Sequence, residues 1–329
     1  MVLTNRIDNL SAPLFVSWQL TRDCDLACLH CCTESAPGKK LKDELPAAEA
    51  VRVAEAIARA GVPYVMLCGG EPLVVPHFFA VAEALGNAGV ALKIETNGQR
   101  FDAAIAARLA RLPIRSVQVS IDGDSQETYE RQRPAASLAK AHAACRAVRE
   151  AAMPLEVTFA PTRLNLHEAE RVIDRARSLG AFRFNTGRLM HIGTAARHWN
   201  RLEPTEPQWT GFRELLGAAA ARLRGELELC YEPFDVEAGL ERSLRAPPAT
   251  LLVLPNGWVK VAAALPEICA DLRKDSLEEA WEAYRRGFVW GYFLWVITRI
   301  SSRAVVLVHI PRLGAALTDH DTFRRLGVG

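Results

Sequence analysis

Three cysteines raise the first question of chemistry. Cys24, Cys28 and Cys31 stand x3 and then x2 apart in the run Cys-Asp-Leu-Ala-Cys-Leu-His-Cys-Cys. One short loop at this spacing can turn three sulfurs toward a single centre. Three such thiolates suit an iron–sulfur cluster whose last iron keeps no protein ligand. Zinc is one alternative, and it would want a fourth Cys or His at ligand spacing. His30 lies between two of the thiols and is poorly placed for that, whereas Cys32 keeps zinc open. A disulfide is the other alternative, and it needs an oxidising compartment of which the sequence gives no other sign. Spacing alone leaves cluster, zinc and disulfide all standing.

The elements that must position this loop follow from periodicity. Phe15 to Leu20 reads as a strand leading into the cysteines. Behind the loop, Glu44 to Ala60 predicts a helix, with Pro46 near its start, an apolar stripe through Val51, Ala54, Ile57 and Ala58, and Gly61 as its stop. Strands are expected over 62–68, 90–96, 115–121, 155–160 and 181–185, and helices over 76–87, 102–111, 135–151 and 165–179. Alternating strands and helices, with the strands mostly apolar runs, signal a parallel sheet with helices outside it. Periodicity cannot separate a doubly wound sheet from a barrel. In either, the site is built from loops at the C-terminal ends of strands.

Polar motifs fall at those ends. Gly69-Gly70-Glu71-Pro72 follows the second strand, Glu95-Thr96-Asn97-Gly98 the third and Ser120-Ile121-Asp122-Gly123 the fourth. Two glycines without Cβ let backbone approach a ligand, and Glu71 adds an acceptor. Asn-Gly and Asp-Gly are also common turn dipeptides, so turn chemistry stays an alternative for the last two motifs. Cys68 reads as a small buried hydrophobe. Thr158, Thr162 and Asn165 are further candidates near the fifth strand, and Arg188 lies just after the sixth.

The cysteine spacing after a strand-like run, with Gly-Gly-Glu-Pro after the next strand, resembles the radical S-adenosylmethionine (SAM) superfamily over about residues 14–195. The resemblance implies a partial (β/α)6 TIM-like barrel and a [4Fe–4S] cluster on Cys24, Cys28 and Cys31. SAM would bind the fourth iron and be cleaved reductively to a 5′-deoxyadenosyl radical. It implies Gly69, Gly70 and Glu71 at the amino group of SAM, with Asn97, Ser120 and Asp122 lining its site. Arg188 would either pair with the SAM carboxylate or hold its loop. The usual aromatic residue between the second and third cysteines is His30 here.

The C-terminal half carries a hairpin signal in Leu251 to Val261, two apolar runs about Asn256-Gly257. Asp-Leu-Arg-Lys-Asp-Ser-Leu-Glu-Glu-Ala-Trp (271–281) then opens a helix capped by Asp275 or Ser276. Together they resemble the SPASM or twitch unit of the pyrroloquinoline quinone, mycofactocin and heme d1 maturation enzymes, giving a small α+β C-terminal unit. Those relatives carry extra clusters there, and this chain departs from them. Ala262-Ala263-Ala264 stands where a cysteine is expected, and only Cys230 and Cys269 remain in this half. Two thiolates do not make a [4Fe–4S] site by themselves, which puts an auxiliary cluster in doubt.

The division expected is a lead at 1–13, a core barrel at 14–200, a SPASM/twitch-like unit at 201–287 and an apolar tail at 288–329. The tail's two apolar runs (288–297 and 304–310) are too short for a bilayer span. A net charge of +2 over 329 residues gives no argument for nucleic acid or an anionic membrane. The first residues do not read as a signal peptide, and the cysteine usage points to a reducing compartment, so cytoplasm is expected. The resemblance implies a radical enzyme acting on a peptide, or alternatively on a tetrapyrrole, with a flavodoxin- or ferredoxin-type electron donor. A non-catalytic iron–sulfur scaffold and a zinc-binding structural protein are the readings from other classes.

Overall fold

The computed structural model describes residues 7–233, 239, 242–243, 246–263 and 267–287. Ala264 and the tail at 288–329 lie outside them. Six parallel strands follow one another in sequence and in space: β1 (Phe15–Gln19), β2 (Tyr64–Cys68), β3 (Ala91–Thr96), β4 (Ile114–Ser120), β5 (Leu155–Phe159) and β6 (Arg183–Gly187). A doubly wound sheet reverses its strand order partway, and this one does not. The order is that of a partial (β/α)6 barrel. Helices α1 (Ala47–Arg59), α2 (Phe78–Asn87), α3 (Ala103–Leu109), α4 (Gln126–Gln132), α5 (Leu138–Glu150) and α6 (Ala169–Ser178) connect the strands.

Caps explain several boundaries. Asp102 accepts the Ile105 N–H at 2.9 Å to start α3, and the Ser137 hydroxyl accepts from Lys140 N–H to start α5. The helix expected over 135–151 is α5, Leu138–Glu150, and α4 is a further helix ahead of it. Ala135, at φ 64°, separates the two. The Gln-Glu-Thr-Tyr-Glu-Arg-Gln sequence of α4 has no apolar period, so it is held by burial of Tyr129 and Gln132 rather than by a stripe.

The strands are less uniformly apolar than their sequences suggest. One face buries Val65, Leu67, Leu92, Ile94, Val117, Val119, Val157 and Phe184 against helix residues such as Ile57, Leu85, Val148 and Ile173. The other face carries a polar network at the same depth. Lys93 Nζ donates to Gln118 Oε1 and Glu156 Oε2, both at 2.9 Å. Asn185 Nδ2 donates to the same two oxygens at 2.8 and 2.6 Å.

The sheet extends beyond the six strands at both edges. Past β6 come the short α7 (Gly193–Arg197) and α8 (Trp199–Leu202), then α9 (Glu206–Arg222). Strand β7 (Glu228–Glu232) then pairs parallel to β6. The expected hairpin is β8 (Thr250–Val253) and β9 (Trp258–Lys260), turned at Gly257 with φ +83°. Strand β8 lies parallel to β1, and β10 (Ile268–Asp271) closes that edge antiparallel to β9. The C-terminal unit therefore continues the barrel sheet. A helix over 277–287 packs back on it, Trp281 Nε1 donating to Leu10 O at 2.8 Å. Among the described residues no helix is long and apolar enough to cross a membrane.

Candidate functional site

The cysteine loop leaves the C-terminal end of β1 and is tied down by its neighbours on three sides. Against β2, Leu20 N–H donates to Cys68 O at 2.9 Å, Gly70 N–H to Thr21 O at 2.7 Å and Glu71 N–H to Asp23 O at 3.0 Å. Toward α4, Leu29 N–H donates to Gln132 O at 3.1 Å. From the segment after β6, Thr194 and Ala195 N–H both donate to Cys31 O, at 2.8 and 3.2 Å. Gly193, at φ +62°, makes that last approach possible, because a Cβ there would sit 2.5 Å from Cys32 O. The ion pair of Arg197 with Glu34 fastens the same contact from outside.

Gly69 and Gly70 thus allow a close approach, and the partner is the chain itself. A Cβ on Gly70 would lie 2.0 Å from Asp23 O, and one on Gly69, at φ +144°, 2.7 Å from Thr21 O. The glycines seat the backbone that leads into Cys24.

The sulfurs fall into two kinds. Cys24 Sγ accepts from Leu26 N–H at 3.4 Å and from the Asn97 amide at 3.7 Å, and donates to Asp25 Oδ1 at 4.0 Å. Cys31 Sγ accepts from Ser35 N–H at 3.3 Å and lies 3.3 Å from the Thr33 hydroxyl. Cys28 Sγ accepts from Arg133 Nη1 at 3.6 Å. Cys68 and Cys269 donate to backbone carbonyls, those of Trp18 and Val259, at 3.5 and 3.3 Å. Donors aimed at sulfur suit a metal-bound thiolate, whereas a sulfur that donates to a carbonyl is a neutral thiol. Burial pushes the Cys24 thiol up to about 12 and the Cys28 thiol up to about 11. In the metal-free protein both carry protons, which a metal must displace.

All eight cysteines are free. Among the described residues no three His, Cys, Asp or Glu side chains are already gathered on one metal position. A cluster takes each thiolate on a different iron, and the donor set of Cys24, Cys28 and Cys31 fits one. Cys230 stands on β7 and Cys269 on β10, the two end strands in the order of the sheet.

The strand-end candidates divide by what engages them. Glu71 is wholly buried. One oxygen accepts from Thr96 Oγ1 at 2.8 Å and Leu73 N–H at 3.2 Å, and the other from Asn97 N–H at 2.8 Å. Burial, opposed by these bonds, brings its carboxyl up to about 7. It joins the ends of β2 and β3. Asn97 connects onward, its amide donating to Asp25 Oδ1 at 2.7 Å as well as to Cys24. Thr162 and Asn165 are fully buried with Gln132, in a network that shapes the loop after β5. Arg188 Nη2 reaches Glu206 at 3.1 Å, and its guanidinium lies over Trp209, the loop-holding arrangement. Ser120 and Thr158, in register on β4 and β5, keep hydroxyls with no hydrogen-bond partner among the described residues.

Asp122 leads to a residue that sequence reasoning missed. Its carboxylate is fully buried. Oδ1 accepts from Ala160 N–H at 2.7 Å, and Oδ2 accepts from Arg133 Nε at 2.6 Å. His30 Nε2 lies 3.3 Å from the same Oδ2. Burial lowers the imidazole to about 4, so it is neutral, and its buried Nδ1 has no partner. Arg133 therefore bridges Asp122 and Cys28. It stands eleven residues beyond Asp122, at the C-terminal cap of α4, and no motif spacing marks it.

Comparison with known proteins agrees with this geometry. The family model described as Radical SAM superfamily matches residues 18–181. Mycofactocin maturase MftC of Mycobacterium ulcerans is 33% identical over 215 residues, covering 65% of this chain and 58% of that protein. The AdoMet-dependent heme synthase of Methanosarcina barkeri is 31% identical over 188 residues, covering 56% and 52%. PqqA peptide cyclase of Ruegeria pomeroyi is 28% identical over 277 residues, covering 82% and 74%. The chain spans about half the length of the first two of these relatives. In fold it is similar to Streptococcus suis SuiB bound to S-adenosylmethionine, with a TM-score of 0.67 at 15% identity over 83% of this chain and 67% of that one.

Proposed function

Through residues 18–181 the chain belongs to the radical SAM superfamily, and from that premise we propose that it is an enzyme that abstracts hydrogen from a peptide substrate during peptide or cofactor maturation. The observation that supports this most is the contrast among the sulfurs. Three thiols on one loop accept hydrogen bonds as metal-bound thiolates do, while Cys68 and Cys269 behave as structural thiols. Held by Cys24, Cys28 and Cys31, a [4Fe–4S] cluster with SAM would supply one-electron radical chemistry.

The chain's own residues hold and orient. Cys24, Cys28 and Cys31 hold the cluster, and Asn97 and Arg133 keep two of the sulfurs in place. Gly69 and Gly70 let the loop seat against β2. Ser120 and Thr158 are the hydroxyls at the ends of β4 and β5 still open to a ligand. Glu71 and Asp122 act from behind as buried anchors. The polar barrel face, with Lys93, Glu156 and Asn185 already paired, would receive a substrate without an apolar pocket.

A peptide is favoured because PqqA peptide cyclase aligns over the largest share of this chain among the three relatives described. A tetrapyrrole substrate is the second reading, supported by the heme synthase match. An external one-electron carrier must supply the electron, and an oxygen-sensitive cluster favours a reducing, cytoplasmic setting. The test is anaerobic. The reconstituted protein is given dithionite and SAM, and 5′-deoxyadenosine is assayed. Formation that disappears in Cys28→Ala is expected, and a wild-type protein with four irons and no cleavage would favour the scaffold reading.

A further inference from the structure

The three sulfurs of the loop are not equivalent in charge. Cys24 and Cys31 meet no cation: they accept from backbone N–H groups and the Asn97 amide, Cys31 lies beside the Thr33 hydroxyl, and Cys24 lies 4.0 Å from Asp25 Oδ1. Cys28 receives a cation. Arg133 is 7% exposed, and its Nη1 points at Cys28 Sγ while its Nε points at Asp122. Two nitrogens of one planar fork therefore hold a sulfur and a carboxylate at once, which a lysine ammonium cannot reproduce in the same geometry. Asp122 is itself fixed by Ala160 N–H, and the Tyr129 ring lies 6.0 Å from the Arg133 guanidinium carbon. The groups facing Arg133 are thus Cys28, Asp122 and Tyr129, with the neutral His30 beside the same Asp122 oxygen that Arg133 binds.

Reduction adds one negative charge to a cluster. A buried cation bonded to a ligand sulfur stabilises the reduced state over the oxidised one, and a buried anion beside that cation offsets the effect. We infer that Arg133 raises the reduction potential of the cluster held by Cys24, Cys28 and Cys31 through Cys28 Sγ, and that Asp122 limits the rise. The step is the entry of one electron from a low-potential one-electron donor, with no bond made or broken. Arg133 is on this view a positioning and charge-setting residue. The inference rests on the cluster proposed above.

The experiment is a redox titration of the reconstituted protein without SAM, followed by the electron paramagnetic resonance signal of the reduced cluster. Iron content and the absorption of the oxidised cluster check each variant first. Arg133→Gln is expected to move the midpoint to a more negative potential by at least 59 mV, a tenfold drop in the reduced-to-oxidised ratio at fixed potential. Arg133→Lys keeps the charge and loses the fork, so a smaller shift of the same sign is expected. Asp122→Asn removes the offsetting charge and is expected to shift the potential the other way. A structural role alone would not give opposite signs.

Unchanged midpoints in variants that hold four irons would overturn the inference. So would failure of all three variants to hold a cluster, because Arg133 would then be part of the loop's scaffold and not a charge on its sulfur. Should Arg133→Gln alone fail, the sign of the Asp122→Asn shift decides. A wild-type protein with no reducible four-iron cluster would instead defeat the functional reading beneath it.

Discussion

The mouth of the barrel and the C-terminal unit are built from the same sheet, and they differ in what their cysteines do. At the mouth, three sulfurs on one loop are each met by donors, and the backbone around them leaves no spare volume at Gly69, Gly70 or Gly193. In the unit at 250–287, the hairpin and helix of the resemblance are present, but Cys269 donates to a carbonyl and Cys230 lies at the opposite edge of the sheet. What this unit contributes is support. Strand β8 covers the open side of β1, Leu45 N–H donates to Pro255 O at 2.9 Å, and Asn256 Nδ2 donates to Asp43 at 3.0 Å.

The sharpest test of that contrast is substitution of the cysteines in two groups. Cys24→Ala, Cys28→Ala and Cys31→Ala should each abolish the four-iron content and the brown absorption on reconstitution. Cys32→Ala, Cys68→Ala, Cys230→Ala and Cys269→Ala should leave iron per chain unchanged. Iron lost in the Cys230 or Cys269 variant would show that the C-terminal unit holds metal after all, and the comparison would fail.

A second, smaller effect separates backbone fit from ligand chemistry. Gly70→Ala places a Cβ 2.0 Å from Asp23 O, against backbone that cannot swing away like a side chain. The loop must shift, at a cost of several kcal/mol, typical of the more damaging single substitutions. Reduced iron uptake and a lower melting temperature are expected together. Gly211→Ala on α9 meets nothing within 4 Å and should be neutral or stabilising by up to about 1 kcal/mol. Equal behaviour of the two variants would remove the seating role given to Gly70.

These positions also show what was legible in the sequence. The strand–helix alternation, the cysteine spacing and the motifs at strand ends were readable because each is local. The close fit of Gly70 was not, because the Asp23 backbone it packs against lies 47 positions away. Glu71 and Asn165 were readable as polar residues near a site. Only burial shows that their polar atoms face inward. Arg133 escaped because α4 is short and polar, and its two partners are far apart in sequence. Strands β7 and β10 escaped for want of an apolar run. The polar face of the barrel did leave a signal, the alternation in Leu92-Lys93-Ile94-Glu95, which was outweighed by the apolar residues beside it.

On the C-terminal side, Trp281 measures how much support the unit gives. It is 1% exposed, stacks on Tyr284 with centroids 5.3 Å apart and reaches across to Leu10 O. Trp281→Ala should destabilise the fold by about 3–5 kcal/mol, the range for emptying a buried aromatic site. Below the melting transition the variant should still take up iron, since no Trp281 contact touches the cysteine loop. Chemical denaturation paired with iron analysis checks both halves of that statement. Normal stability would mean that the unit is an ornament to the barrel and not a support.

The smallest expected effect falls on Arg188, just past β6, where it packs against α9. Its guanidinium pairs with Glu206, approaches Glu203 at 3.8 Å and lies over the Trp209 ring, with about a third of its side chain exposed. Ion pairs so open to water contribute roughly 0–1 kcal/mol, because solvent screens them and the long side chains lose freedom. Arg188→Ala should therefore lower stability by no more than about 1 kcal/mol and leave SAM affinity unchanged. Equilibrium dialysis of SAM against the reconstituted variant decides the matter. A tenfold loss of affinity, about 1.4 kcal/mol, would mean that Arg188 leaves Glu206 for the SAM carboxylate when the ligand arrives, and that the site reaches past β6.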